Sequence, residues 1–216
     1  MIRGVCFDMD GVLLDTETLG GVVMREAAAL QDCPLTLAQW HSLLGQNMAS
    51  TRVSLRAFFP GRIDPDRFIR DWCELMLAHI RREGLPFKPH AREVLQHLRQ
   101  RGIRLALCTS NAAEVVAEYL RIAGWEHAFD QVITGEMVAS SKPAPDIYLR
   151  GAELLGLDPA ECAGVEDSYN GVRAVRAAGM YSVMIPDILP WCEEVAPCTD
   201  AVLTSLGELE PLLERL

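Results

Sequence analysis

The chain lacks the features that mark membrane proteins and nucleic-acid-binding proteins. No segment approaches the roughly 18 uninterrupted apolar residues that a membrane helix requires. No run of five or more Lys or Arg residues occurs, and the formal net charge is −10, whereas nucleic-acid binding needs a basic surface that neutralises phosphates. We therefore expect neither a membrane nor a nucleic acid among its partners.

The chain also lacks the cysteine patterns of disulfide scaffolds and zinc sites. Its seven cysteines are odd in number and include no CxxC pair. The acidic residue Asp8 interrupts the first apolar stretch too early for a signal peptide. We expect a reduced cytoplasmic protein, either a monomer or a small homo-oligomer.

Lysine is scarce as well. The 216 residues include only Lys88 and Lys142, against eighteen arginines. Half of the chain is hydrophobic, which excludes a disordered protein. The excess negative charge repels anionic substrates, so an anionic substrate requires a local cation. Lys142, in the loop 140–146, is a candidate for that compact charge, and a solvated loop lysine is the alternative.

Short apolar runs alternate with helical patterns over most of the chain. Parallel strands are predicted at residues 4–7, 103–108, 131–134, 163–166, 181–185 and 201–203. Glycines at 102, 124, 156 and 179 end the intervening helices, and Asn111 and Asp158 each precede a Glu by three residues, as in capping boxes. The pattern predicts an α/β fold with a doubly wound parallel sheet.

Residues 16–85 interrupt this alternation with helices alone, predicted at 18–30, 36–44, 50–59 and 66–82. We expect a helical cap domain at 16–85, inserted after strand one into a core domain of residues 1–15 and 86–216. The insertion begins at the carboxyl edge of the sheet, where open α/β sheets bind ligands. A cap at that place would cover the ligand site.

Polar residues follow four of the predicted strands. Asp8 and Asp10 follow the first, and their carboxylates can hold a divalent cation, although a strand-end turn is the alternative. The remaining groups are a hydroxyl-rich helix start, a lysine and an acid pair: Thr109, Ser110 and Asn111; Lys142; and Glu166 with Asp167. Each of these groups also has a simpler structural explanation, such as an N-cap.

These strings resemble, in the same order, the motifs of haloacid dehalogenase superfamily hydrolases. Residues 8–17 (DMDGVLLDTE) resemble the first motif of the β-phosphoglucomutase-like phosphatase branch. Residues 141–146 (SKPAPD) resemble its lysine motif, and residues 164–168 (GVEDS) its acidic motif. The resemblance runs from Asp8 to about Ile185 and implies a Rossmann-like core with a small helical cap.

The resemblance implies a Mg²⁺-dependent phosphatase acting on a small phosphorylated metabolite. Asp8 would attack phosphorus to give an aspartyl-phosphate, and Asp10 would act as general acid and base. Mg²⁺ would be held by Asp8, Asp10 (through its carbonyl) and Asp167, with Glu166 supporting its waters. Phosphoryl oxygens would be bound by the remaining motif residues, namely Thr109, Ser110, Asn111 and Lys142.

Two alternatives remain open. The mutases of this branch carry a His in the helix after the first motif and a Lys beside the cap glycine, where this chain has Gly20 and Leu44. Those departures favour a phosphatase over a phosphosugar mutase. A phosphosugar-binding or receiver-like regulatory protein is the alternative from another class, but it would be expected to lack the 70-residue insertion or one of the catalytic groups.

The cap is expected to select the substrate, a phosphorylated sugar or polyol. Gly45 and Gln46 lie in a loop that would face the core, where Gln46 could bind sugar hydroxyls. Arg52 is a candidate for binding a second anionic group, although arginines on amphipathic helices more often lie on a solvated face.

Overall fold

A computed structural model describes residues 1–44 and 46–216. In these residues six strands form one parallel sheet, in the order β3-β2-β1-β4-β5-β6. The strands are β1 (Gly4–Phe7), β2 (Arg104–Cys108), β3 (Gln131–Ile133), β4 (Cys162–Glu166), β5 (Tyr181–Met184) and β6 (Ala201–Val202). The doubly wound parallel sheet predicted from the sequence is confirmed.

Helices cover both faces of the sheet and fill the long connection after β1. That connection contains α1 (Glu17–Ala29), α2 (Leu37–Leu43), α3 (Met48–Phe58) and α4 (Pro65–Glu83). The later helices are α5 (Ala91–Gln100), α6 (Ala113–Ala123), α7 (Asp146–Leu155), α8 (Tyr169–Ala177) and α9 (Leu209–Leu213). The division into domains at residues 15 and 85 stays a prediction.

The central strand β1 shows why its sequence is almost wholly apolar. Val5 and Phe7 belong to one buried cluster, which includes side chains of α5 and α6. Cys6, on the opposite face, belongs to a second cluster with side chains of α7 and α8. Successive strand residues point to opposite faces, so a strand covered on both faces needs apolar residues throughout.

The helices after β1 have an apolar cluster of their own. Met24 of α1, Leu43 of α2, Leu55 of α3 and Phe68 of α4 are buried together. No helix in the described residues has the length and apolar character that crossing a membrane requires.

The sequence predicted the C-terminal ends of helices better than their N-terminal ends. Gly124 and Gly156 adopt the left-handed conformation directly after α6 and α7, as expected of C-terminal glycines. The capping box at Asp158 is confirmed, although it begins only a one-turn 3₁₀ helix, Pro159–Glu161.

The capping box predicted at Asn111 is wrong. Ala112 is the N-cap of α6 and makes no side-chain capping bond. The Asn111 amide instead donates to Oδ2 of Asp10 over 2.6 Å. Oε2 of Glu136 accepts from the backbone N–H of Ala113 over 3.2 Å, so a side chain from another segment satisfies this helix start.

Candidate active site

Parallel pairing brings the polar residues that follow the strands to one edge of the sheet. Phe7 pairs with Leu107 of β2 and with Val165 of β4, so the three strands end level with one another. Asp8 follows β1 directly, and Glu166 is the last residue of β4. The loop that leads to α7 brings Lys142 to the same edge.

Lys142 connects these segments. Its Nζ lies 2.8 Å from Oδ1 of Asp8 and 2.5 Å from Oε1 of Glu166, and it donates to the carbonyl oxygen of Cys108 over 3.2 Å. The side chain is buried. Burial lowers its pKa, but the carboxylates of Asp8 and Glu166 raise that pKa by more, so the ammonium group stays charged.

Glu166 is fully buried and both of its oxygens are occupied. Oε1 accepts from the Tyr148 hydroxyl and pairs with Lys142, and Oε2 accepts from Oγ of Ser168 over 3.1 Å. A Cβ on Gly171 would overlap this carboxylate, so a glycine in the first turn of α8 leaves room for it. The carboxylate is thereby fixed in position.

Asp8 has a perturbed carboxyl group. Burial raises its pKa most, Glu166 raises it further, and Lys142 offsets part of this, leaving the pKa at about 7. Burial also raises the pKa of Asp167 well above its usual range, with a contribution from the half-buried Glu17. Carboxyl groups that are this close and this buried disfavour one another's ionisation.

Three of these carboxyl groups could hold a metal ion. One oxygen from each of Asp8, Glu166 and Asp167 lies within 4.8 Å of the others. Hard oxygen donors suit Mg²⁺, and a divalent cation would relieve the repulsion that raises the pKa values of Asp8 and Asp167. Gly11 admits the Asp167 side chain, since its φ is +75° and a Cβ there would overlap that carboxylate. The donor set therefore fits magnesium.

Asp10 lies next to this cluster but is held separately. Oδ1 accepts from the Thr16 hydroxyl, and Oδ2 accepts from the Asn111 amide. Burial raises the pKa of Asp10, while the two donors lower it in part. A carboxyl group in this environment can keep a proton that an exposed aspartate would lose.

A cavity lies between this edge and the helices after β1. Asp8 and Asp10 line it, as do three of the four predicted phosphate-binding residues, Thr109, Ser110 and Asn111. Thr109 is buried, and its Oγ1 accepts from the backbone N–H of Asn111 over 3.2 Å.

Of the cap residues predicted to bind substrate, Gln46 lies at the cavity and Arg52 is not among the described residues that line it. Gln46 lines the cavity, but its Nε2 donates to the carbonyl of Ser42 over 2.7 Å and its Oε1 accepts from Ser54 Oγ over 3.1 Å. Arg52 pairs with Asp66 over 2.6 Å and is not among the described residues that line the cavity. Gly45 lies outside the described residues.

Some groups at the site were not singled out from the sequence. Thr16 and Glu17 line the cavity. Both belong to the first motif, residues 8–17, and this membership could have identified them as site residues. Tyr148 contacts Glu166 from α7, eighteen residues away, and no local pattern in the sequence marks that contact. Apolar side chains of α1, α2 and α4 also line the cavity, and helical periodicity alone does not distinguish such residues from core packing.

A family model described as haloacid dehalogenase-like hydrolase matches residues 2–179. Hexitol phosphatase A of Escherichia coli (strain K12) is 34% identical over 221 residues, covering 96% of this chain and 93% of that protein. A phosphorylated carbohydrates phosphatase of Thermotoga maritima is 32% identical over 186 residues, covering 83% of this chain and 82% of that protein.

A solved structure is similar over nearly the whole chain. CbbY from Rhodobacter sphaeroides, a mutant in complex with xylulose-(1,5)bisphosphate, superposes with a TM-score of 0.85 at 28% identity, covering 97% of this chain and 96% of that chain.

Proposed function

The chain belongs to the haloacid dehalogenase-like hydrolases and is a phosphatase, and we propose that it hydrolyses a phosphorylated sugar or polyol through an aspartyl-phosphate on Asp8. The observation that carries the proposal is the contact of Lys142 with Asp8 and Glu166 at one buried edge. The hydrogen bonds from Thr16 and Asn111 to Asp10 support the two chemical steps that we propose.

In the first step an oxygen of the Asp8 carboxylate attacks phosphorus. The new O–P bond forms as the bond between phosphorus and the leaving-group oxygen breaks, and that oxygen takes a proton from Asp10. The raised pKa of Asp10 supports this role, because a buried carboxyl group keeps its proton for donation.

In the second step water attacks the phosphorus of the aspartyl-phosphate. Asp10, now a carboxylate, takes a proton from that water, and the bond between phosphorus and Asp8 breaks. The products are inorganic phosphate and the original Asp8 carboxylate. Thr16 and Asn111 hold Asp10 in place through both steps.

We propose Mg²⁺ as the cofactor, held by carboxylate oxygens of Asp8 and Asp167 and by the backbone carbonyl of Asp10. Glu166 already binds Lys142, Tyr148 and Ser168, which suits a supporting position behind the ion. When bound, the ion supplies charge neutralisation for the phosphoryl group. Lys142 adds a fixed positive charge, and Thr109, Ser110 and the backbone of Asn111 would bind phosphoryl oxygens.

The alternative of a phosphosugar mutase receives no support from the cavity. Gly20 and Leu44 line the cavity at the places where the resemblance expects a His and a Lys. A mutase must retain and rebind a bisphosphate, and neither residue can bind a phosphate through its side chain. Membership among named phosphatases likewise favours an enzyme over a regulatory protein.

The test is a phosphatase screen of several dozen phosphorylated metabolites with Mg²⁺, using Asp8→Asn as the blank. We expect phosphate release from sugar or polyol monophosphates by the wild-type chain only. EDTA should remove this activity and added Mg²⁺ should restore it. Equal release by Asp8→Asn would contradict the assignment of the nucleophile.

A further inference from the structure

Tyr148 is a buried polar residue that the two chemical steps above do not use. It lies in the first turn of α7 and is fully buried in a cluster that otherwise contains apolar side chains and cysteines. A phenylalanine would fill nearly the same volume, and burial of a hydroxyl group costs free energy unless that group is hydrogen-bonded. The hydroxyl donates to Oε1 of Glu166. Packing alone therefore explains the aromatic ring and not the hydroxyl.

One oxygen of Glu166 interacts with both Tyr148 and Lys142. Nζ of Lys142 lies 2.5 Å from Oε1, the atom that also accepts from the Tyr148 hydroxyl. Nζ lies over the aromatic ring of Tyr148 as well, 5.3 Å from its centroid, where a cation is attracted to the ring. The loop that contains Lys142 leads directly into α7, so both donors belong to one segment of the chain.

All three N–H donors of the Lys142 ammonium group have acceptors. Nζ lies 2.8 Å from Oδ1 of Asp8 and 2.5 Å from Oε1 of Glu166. It also donates to the carbonyl oxygen of Cys108 over 3.2 Å. Because an ammonium group has three donors, a phosphoryl oxygen that binds Lys142 has to displace one of these acceptors. Glu166 is suited to be displaced, since the Tyr148 hydroxyl remains on the same oxygen.

We propose that the Tyr148 hydroxyl keeps Glu166 hydrogen-bonded when Lys142 turns from Glu166 to a phosphoryl oxygen. Tyr148 is thus a positioning residue for phosphoryl transfer, and this inference rests on the proposed function. A buried carboxylate that loses its donors is costly, and Tyr148 on Oε1 together with Ser168 on Oε2 avoids that cost. Without the hydroxyl, Oε1 depends on Lys142 and holds the ammonium group away from the phosphoryl oxygen.

The kinetic experiment compares Tyr148→Phe with the wild-type chain in Mg²⁺, with p-nitrophenyl phosphate as substrate. Phenylalanine keeps the ring beside Lys142 and removes the hydroxyl. We expect kcat/KM to fall about tenfold, and the inhibition constant of orthovanadate, which mimics the phosphoryl group, to rise by the same factor. Unchanged values in a folded variant would overturn the role of Tyr148 and leave the proposed function intact. Failure of the wild-type chain to hydrolyse any monoester would overturn both.

Tyr169→Phe is the matched control. It also removes a tyrosine hydroxyl that has a partner, in this case the carbonyl oxygen of Pro190 at 2.6 Å. Its kcat/KM and its inhibition constant for orthovanadate should equal those of the wild type. Equal losses in both variants would show that the loss of a buried hydrogen bond in general lowers activity, and would overturn the specific role of Tyr148.

A spectroscopic experiment separates positioning from packing and needs no turnover. The chain has only the lysines Lys88 and Lys142, so lysine labelled with ¹⁵N at Nζ gives one signal from each. In EDTA, Tyr148→Phe should shift the Lys142 signal, because the pairing of Lys142 with Glu166 changes. Lys88 pairs with Asp187 and serves as the internal reference. An unshifted Lys142 signal would overturn the proposal.

Thermal unfolding shows whether Tyr148→Phe folds. If it does not, the wild-type chain is labelled with ¹³C at Cζ of tyrosine in addition to ¹⁵N at Nζ of lysine, and orthovanadate is added with Mg²⁺. We expect the signals of Lys142 and Tyr148 to shift together as the ammonium group leaves Glu166, with Tyr169 and Tyr181 as references. A Tyr148 signal that stays unchanged would overturn the proposal.

Discussion

The side-chain amide of Asn111 donates a hydrogen bond of 2.6 Å to Oδ2 of Asp10 across 101 residues of sequence. The strands β1 and β2 are adjacent in the sheet, and this contact joins the segments that follow them. It holds the group that we propose as general acid and base, and it lowers the pKa that burial raises.

Removing this donor should change the pH dependence of catalysis. In Asn111→Ala the pKa of Asp10 rises further, because a hydrogen bond to its charged form is lost. The alkaline limb of kcat/KM should then move to higher pH, since the general acid keeps its proton longer. Asn47→Ala is the control: Asn47 caps α3, so this variant should lose about 1 kcal/mol of stability without moving the limb. An unmoved limb in Asn111→Ala would contradict the role of Asp10.

The two lysines of the chain provide a matched pair of variants. Lys142→Met removes the cation that contacts Asp8 and Glu166 and should lower kcat/KM by about 10³-fold, as measured by steady-state kinetics. Lys88→Met breaks a half-buried ion pair with Asp187 and should leave kcat/KM near the wild-type value. A similar loss of kcat/KM in both variants would show that lower stability, and not the loss of a cation at the active site, reduces activity.

The acidic site should make the metal-free chain less stable as pH rises. The pKa of Asp8 is raised from 3.8 to about 7 in the folded state, so the folded chain binds more protons than the unfolded chain between these values. The free energy of unfolding therefore falls as pH increases from about 4 to about 7. Thermal unfolding in EDTA should show this fall, Mg²⁺ should reverse it at neutral pH, and Asp8→Asn should reduce it. A Tm that rises over this range in EDTA, with no response to Mg²⁺, would contradict the prediction.

Two helical glycines should respond oppositely to an added methyl group. Gly171→Ala places a Cβ on the Glu166 carboxylate, so we expect a loss of stability of about 1–3 kcal/mol and reduced activity. Gly20→Ala places its Cβ in open space within α1 and should raise stability by about 0.5–1 kcal/mol. Denaturant unfolding measures both, and a stabilised Gly171→Ala would show that Glu166 is not confined as described.

The sheet and its polar edge could be predicted from the sequence because both depend on local patterns. Apolar runs mark strands that are buried on both faces, and parallel strands bring the residues that follow them, such as Asp8 and Thr109, to one edge. The contacts of Asn111 could not be predicted in the same way. Its local pattern is that of a helix cap, but a buried carboxylate from another segment competes for its amide.

Contacts between segments also determine the positions of the cap residues, and the sequence did not predict those contacts. Arg52 pairs with Asp66 because α3 and α4 pack together, and fourteen residues of separation carry no signal for that pair. The N–H of Trp72 has no hydrogen-bond partner in the part of the chain that the structure describes, and this is a property of packing alone. Sequence periodicity places both residues on helices and does not indicate which of them lines the cavity.

The central claim is that Asp8 becomes covalently phosphorylated during turnover. The most direct measurement mixes the chain and Mg²⁺ with a ³²P-labelled hexitol 6-phosphate, quenches with acid within one turnover, and maps the label by peptide mass spectrometry. We predict label on Asp8 that disappears as free phosphate forms, and no label in Asp8→Asn. Label on another residue such as Thr109, or phosphate release without any labelled protein, would contradict the account.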